Sequence, residues 1–478
     1  MTHPLSATFT ATPTQRNRRL LLTLPACAVP MLSACGGGAD LSYDTEQALY
    51  FVGEAITPNS PKPTSENPKT AGHTAPTFSV KPALPAGLTL NTQTGAISGT
   101  PTGLKRQVTH TVTARNNRGF AETQLRITVT GRGAWTSVAT IPGAREYACI
   151  APLPNGKALV VSGLTDNGWT VNGYVFDPVT AGWTPAASLP IERELSMCMA
   201  LRDGRVLIFG GTFQNEPHAP ANLYDAVANT WNPAGSMVVP RRNAAACLLP
   251  DGKVLVTGGA LDSSNHDAVE LYSPGSSTGS GSGPGGPGGP GGPGPRPDPG
   301  TWTLLPKRMA DPRSGHAAVL LQGGKSVLLV GGATSPSGVT RIELYPVDGG
   351  ASKLIPSPVT GENTQAVLLD DGSVLIVTDA TTSWRFYPRT STWKTSTQAA
   401  VREASQMVLL ADGRVLRAGG VGLSSAEIYN PDVNVWTPAA SMSVPRPYAM
   451  ATLLANGRVL MVNGVGEERV DSTEIYTP

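Results

Sequence analysis

Six arginines recur at one place in a repeating unit: Arg145, Arg193, Arg241, Arg313, Arg402 and Arg446. A guanidinium presents a planar fork of N–H donors that suits carboxylates and other anions. A ring of them could therefore hold an anionic partner. A residue repeated with the unit can equally serve the unit, as a clamp bonded to carbonyls or to a neighbouring glutamate. The fifth copy has Gly361 at this place, which would open space between Arg313 and Arg402 and leave one or both for a ligand. Carboxylates stand beside the arginines at Glu146, Glu194, Glu362 and Glu403. They could act as acid and base or pair with the arginines. Trp169, His218 and His266 fall in segments that differ from copy to copy, and variable loops on a rigid scaffold commonly carry function. Cys149, Cys198 and Cys247 follow their arginines by four, five and six residues. Unmatched offsets argue against a shared metal or disulfide and for buried free thiols. His73 and His110 are isolated. No catalytic residue, metal ligand or cofactor site is expected.

The unit that must position these residues is clearest at Asp203-Gly204-Arg205-Val206-Leu207-Ile208-Phe209-Gly210-Gly211: a turn, an apolar strand and a double glycine. Asp-Gly tolerates the positive φ angles of a two-residue hairpin turn. The turn recurs at Asn155, Asp251, Gly323, Asp371, Asp412 and Asn456, each ten residues after the arginine position. The strand then closes on Ser162-Gly163, Gly258-Gly259, Gly331-Gly332, Thr378-Asp379, Gly419-Gly420 and Asn463-Gly464. After a variable loop comes a strand ending in an aromatic, with Trp seven residues on: Phe176 and Trp183, Tyr224 and Trp231, Phe386 and Trp393, Tyr429 and Trp436. Tyr272 and Trp302 are the same pair split by an insertion, and Tyr345 has Ser352 in place of Trp. A repeat of this length means a solenoid or a propeller.

As a set, the arginine, the double glycine, the aromatic and the spaced Trp resemble kelch repeats over residues 133–478. The resemblance implies an all-β, seven-bladed β-propeller of four-stranded blades. Strand A precedes the Asp-Gly turn, B carries the double glycine, C the aromatic and D the Trp. The chain enters at Ala134-Trp135-Thr136, which reads as a D strand, and ends at Ile475-Tyr476-Thr477-Pro478, a C strand without its D. The first strand should complete the last blade. The B–C loops, at 166–170, 213–220, 262–266 and 467–470, should share one face with the D–A crossings and the arginines. Kelch propellers also carry copper-radical oxidases related to galactose oxidase, which need two His and two Tyr on copper and a Tyr–Cys cross-link. His218, His266 and His316 are scattered over the repeats, and nothing follows the seventh repeat to add a ligand. The sialidase Ser/Thr-x-Asp-x-Gly-x-x-Trp series is missing too.

Ahead of the repeats, Arg16, Arg18 and Arg19 precede an apolar run and Leu32-Ser33-Ala34-Cys35. A basic start before a short apolar stretch is an export signal, too short for a mature membrane helix. The last four residues resemble a bacterial lipobox, which implies a signal peptide at 1–34, lipid on Cys35 and a glycine tether at 35–40. Arg18-Arg19 also leaves twin-arginine export open. Residues 41–131 read as short alternating strands between turn clusters, an immunoglobulin-like β-sandwich. Pro85-Ala86-Gly87-Leu88 followed by Gly95 and Gly99-Thr100-Pro101 is similar to the immunoglobulin-like domains of bacterial surface proteins, which implies a spacer or adhesion module. The Gly/Pro/Ser-rich stretch 275–300 cannot build a core and is expected to be a disordered surface loop.

The formal charge of +2 becomes −1 once the three arginines of the signal are removed. A near-neutral chain offers no global field for nucleic acid. The expectation is a monomeric, lipid-anchored protein of the bacterial cell envelope, in the outer membrane or at the surface. Its propeller would bind a protein or glycan, anionic if the arginines are free, without catalysis. The alternative is a carbohydrate-active enzyme of the galactose oxidase-like type.

Overall fold

The computed structural model describes residues 41–62, 74–117, 119–214, 216–261, 264–275, 298–333, 341–361, 363–465 and 469–478. The expected signal peptide, tether and Cys35, Glu362, most of the insertion, and parts of four B–C loops lie outside them. Every named element is a β-strand.

Residues 41–131 form a small β domain. Its sheet runs Gln47–Phe51, Gly119–Thr130, Lys105–Asn116, Thr77–Lys81 in spatial order. The first pair is parallel, Gln47 opposite Arg126, and the others are antiparallel. A short hairpin, Leu88–Leu90 with Ile97–Gly99, supplies the second layer. Tyr43, Phe78, Leu88, Ile97, Val112, Leu125 and Ile127 close the core between them.

The remainder is a seven-bladed β-propeller, each blade a four-stranded antiparallel sheet in the order A-B-C-D. Strand B is the buried spine, for example Val206–Phe209 and Val459–Val462, with every side chain out of solvent. The innermost strands pack against one another around the ring, and that of blade seven, Met450–Leu453, packs on that of blade one, Cys149–Pro152. The ring closes as the sequence implied: Ala134–Val138 is strand D of blade seven, and Trp135 pairs with Tyr476.

The repeated residues hold blade to blade. Six of the seven strand-C aromatics sit opposite a Trp with ring centroids 4.7–5.3 Å apart, within the favoured range for aromatic pairs. The indole N–H then reaches into the preceding blade. Trp183, Trp231, Trp302 and Trp135 each donate over 2.9 Å to Ala139, Ala187, Ala234 and Ala440 oxygens.

The A–B turn differs from the expected two-residue form. In six copies the connection is longer. Leu201 N donates to Arg205 O, Gly204 N donates to Leu201 O, and Gly204 alone has positive φ, at 89°. This is a type I turn followed by a left-handed glycine. Aspartate is there for another reason: Asp203 Oδ1 accepts the Arg205 N–H, as do Asn155, Asp251, Asp371, Asp412 and Asn456 in their copies. Such Asx caps fix a turn without φ > 0 at the Asx residue. Blade four, with Gly323-Gly324, has one more residue between Leu321 N and its acceptor Ser326 O, and both glycines take positive φ.

The small domain docks on the propeller face that carries these turns. Arg106 bonds Asp370 and the Asp412 carbonyl at 2.8 and 2.7 Å, and Gln107 N donates to Asp432. Arg414 reaches Thr130 Oγ1 at 2.9 Å. The contacts fall on A–B and C–D turns of blades five and six, so those turns share a face and the B–C loops lie on the other.

Candidate functional site

All six repeated arginines are buried, at most 1% exposed, and each closes its own blade. Arg145, Arg241, Arg402 and Arg446 direct one Nη to two carbonyls, at the end of strand B and the start of C. Arg193 takes Pro220 O and Asn222 Oδ1, and Arg313 takes Gly331 O. This is the clamp geometry, and it corrects the expectation of guanidinium groups standing free around the mouth, Arg313 and Arg402 included. At Gly361 a side chain would meet open space. The carbonyl its arginine would hold, Thr378 O, is taken by Arg417 from blade six at 2.6 Å.

The carboxylates that pair with the clamps are not those beside them in sequence. Glu270, Glu427 and Glu474, buried on strand C, bond Arg241, Arg402 and Arg446. The signal was present: each glutamate stands two residues before the strand-C tyrosine, as does Glu343. Glu146 instead meets Arg469 at 2.9 Å, and Glu194 bonds Thr212 Oγ1.

Residues of the double-glycine positions touch the next blade's clamp. Gly211 N and Gly259 N donate to Arg241 O and Arg313 O, and Asn463 Nδ2 donates to Arg145 O. Ser162 Oγ bonds Arg193 O. A Cβ on Gly258 would lie 2.3 Å from Arg313 O, so only glycine or a residue that bonds this oxygen fits.

Two residues after each clamp position the backbone turns left-handed in every blade: Tyr147, Leu195, Asn243, Gly315, Asn363, Ala404 and Tyr448 have φ of 50–62°. Such a run of mostly non-glycine residues at positive φ is uncommon. The preceding residue explains it. Glu146, Glu194, Arg242 and Ser314 each bridge to the root of their blade's B–C loop, and the chain must then reverse into strand A. These residues crown the mouth of the central channel. They are unequal: Tyr147 and Tyr448 meet at 5.6 Å, whereas the far side carries Asn243, Gly315 and Asn363.

The B–C loops of blades one to three are short hairpins rooted at this crown: 164–169, 212–217 and 260–265. Trp169 is half-buried on the first. Between the first two lies a cleft of about 310 Å³ lined by Trp169, Glu192, Arg193, Glu194, Thr212, Phe213 and Gln214. His218 stacks behind Phe213, 6.1 Å between centroids, and burial with Arg193 nearby pushes its pKa down to about 4. His266 is half-buried on the third hairpin and is also shifted down, chiefly by burial. The structure thus brings Trp169 and Arg193 together, with His218 behind them, and keeps His266 and the other clamps apart.

Cys149, Cys198 and Cys247 are free thiols. Despite the unmatched offsets, Cys149 and Cys198 pack together across the seam of blades one and two. Burial raises the pKa of Cys198 and pushes Cys247 up to about 12, so neither is a ready nucleophile.

Compared with known proteins, residues 45–131 match the family model described as "Putative Ig domain". No curated protein matches the chain. Among solved structures, the chain is similar to a fungal alcohol oxidase of the AA5 family, solved in complex with copper. The TM-score is 0.55 and the identity 18%, over 72% of this chain and 76% of that one. At that identity the likeness carries the fold. The residues here do not fit a copper-radical centre. Among the described residues no group of three His, Cys, Asp or Glu could hold a metal. His316 of blade four hydrogen-bonds through Nε2 with Thr257 Oγ1 of blade three, across the ring from Tyr147 and Tyr448. Cys149 Sγ faces Ser196, not a tyrosine ring. The chain is an all-β protein in which an immunoglobulin-like domain precedes a seven-bladed β-propeller.

Proposed function

We propose that this is a lipid-anchored protein of the bacterial cell envelope whose kelch-type propeller binds a glycan on its hairpin face, without catalysis. One observation carries the reading. The small domain occupies the turn face of blades five and six, and the free face gathers Tyr147, Tyr448, Trp169 and Phe213 around unlike loops. Aromatic side chains on a rigid scaffold suit the apolar faces of sugars. The export signal and Leu32-Ser33-Ala34-Cys35 support anchoring through lipid on Cys35, with the immunoglobulin-like domain as spacer.

Aromatic rings are open on this face, whereas the six clamp arginines are turned inward. A neutral glycan therefore suits it better than an anionic partner. The rival reading, a carbohydrate-active enzyme, draws on the likeness to the alcohol oxidase. It lacks a constellation here: the carboxylates nearest the mouth are held by Arg469 and Thr212. A glycan array run beside a hydrolase and oxidase panel tests both. Binding without turnover is expected, and turnover of a bound glycan would overturn the non-catalytic reading. Mass spectrometry of the mature N-terminus should find acylated Cys35, and membrane retention of a Cys35→Ser variant would count against the anchor.

A further inference from the structure

We infer that the cleft at the seam of blades one and two is a subsite for one neutral hexopyranose unit, with Arg193 as the donor at its floor. The inference rests on the glycan-binding reading and names where it happens.

Arg193 combines three features that no other clamp shows together. Among the described residues it has no carboxylate partner, since Asn222 stands where Glu270, Glu427 and Glu474 serve Arg241, Arg402 and Arg446. Its Nε is buried without a hydrogen-bond partner, although the side chain is only 1% exposed. It also lines an open cleft. Arg145 likewise lacks a carboxylate, but its Nε is bonded to Gly143 O. Arg313 Nε is also unbonded, but Asp311 stands 3.5 Å from that guanidinium. A buried donor left unmade is costly, and a ligand oxygen at the cleft floor would complete it.

The rest of the lining matches a sugar ring. Trp169 and Phe213 offer apolar walls from two different hairpins. Glu192 and Glu194 offer acceptors for hydroxyl groups, and Glu194 is oriented by Thr212 Oγ1. The volume, about 310 Å³, is at the lower end for small-molecule sites. Two carboxylates against one guanidinium leave the cleft net negative, which disfavours uronic acids and favours neutral sugars.

The test titrates the full chain, carrying Cys35→Ser for solubility, with three probes: neutral β-glucan oligosaccharides, polygalacturonate oligomers and an oligolysine peptide. Calorimetry reads affinity and thermal melting reads integrity. The neutral oligosaccharide should bind. Trp169→Ala and Glu192→Gln, both at half-buried positions, should each weaken it about tenfold with melting unchanged, while Val227→Ala, at an exposed position on the turn face, should leave it within about twofold. Loss of binding in Tyr448→Ala but not in Trp169→Ala would overturn the cleft and keep the hairpin-face reading. Preference for polygalacturonate or oligolysine would overturn the neutral-sugar assignment. No glycan bound by the parent chain would sink both.

Discussion

A guanidinium whose donors are all taken within its own blade cannot also anchor a ligand, and the distinction has a measurable energy. Arg446 lies fully buried between Glu474, Asn463 O and Ser472 O. Breaking a buried pair by removing one partner leaves the other charge unsolvated, at a cost of roughly 3–5 kcal/mol. Arg446→Ala should therefore lower the unfolding midpoint sharply, and Arg402→Ala likewise. A variant that melts like the parent while losing glycan affinity would return these residues to a binding role. His316 gives a second residue-scale test. Its imidazole is buried in blade four beside Arg313 and Arg241, which with desolvation pushes its pKa to about 3. The unfolded chain, with an ordinary histidine near pH 6.5, takes up a proton that the folded state refuses. Its stabilisation is present above pH 6.5 and is lost as pH falls toward 3. Between pH 6.5 and 4.5, above the range of the carboxylates, the loss should be about 2 kcal/mol. Denaturant titrations of His316→Gln over that window should be flatter than those of the parent.

At the level of elements, the sequence was most legible where chemistry is local and repeated. Turn, spine, aromatic and Trp each answer to nearest-neighbour geometry, so their spacing disclosed the blades. The turn's form was misjudged because Asp-Gly serves two hairpin types. The pairing of Leu201 with Arg205 and the single positive φ at Gly204 separate them. The role of the clamps was hidden for a different reason: their partners Glu270, Glu427 and Glu474 sit on strand C, about 25–29 residues away. Nothing local says which glutamate a buried arginine will meet. The left-handed crown was equally hidden, since it arises from the bridge between the clamp segment and the hairpin root, not from glycine content. The insertion shows how structure sharpens an expectation. Gly275 O accepts from Arg205, Tyr272 OH donates to Pro299 O, and Asp298 caps Gly300 N. The ends of the insertion thus belong to blade three. Excising 276–297 and joining the ends should leave the melting temperature within about a degree, because loop closure depends weakly on length. Excising 275–300 removes those partners and should melt lower, and equal melting of the two deletions would contradict the anchoring role.

For the whole molecule, ring closure was legible from the ends of the repeats, a D strand at the start and a missing D at the end. The docking of the small domain was not, because Arg106, Gln107 and Thr130 carry no mark that distinguishes them from other surface residues. These two long-range joints differ in kind. Arg106 and Asp370 are about two-thirds exposed, at 63% and 64%, so their pair is screened by solvent and contributes below about 1 kcal/mol. Trp135 stacks on Tyr476 at 5.0 Å and donates to Ala440 O at 2.9 Å. It joins blade seven to blade six and joins the first propeller strand to the last. Truncating a packed aromatic of this kind costs roughly 3–5 kcal/mol. It also loosens the only strand that covers the Thr473–Thr477 edge, and an uncovered edge invites pairing with other chains. Trp135→Ala should therefore lower the melting temperature of the whole propeller, expose the 139–143 segment to protease and promote aggregation on heating. Arg106→Ala should change melting little and leave that segment protected. If the two variants melt alike, or if Trp135→Ala loosens blade seven without lowering the main transition, the ring is not held cooperatively by its closing strand.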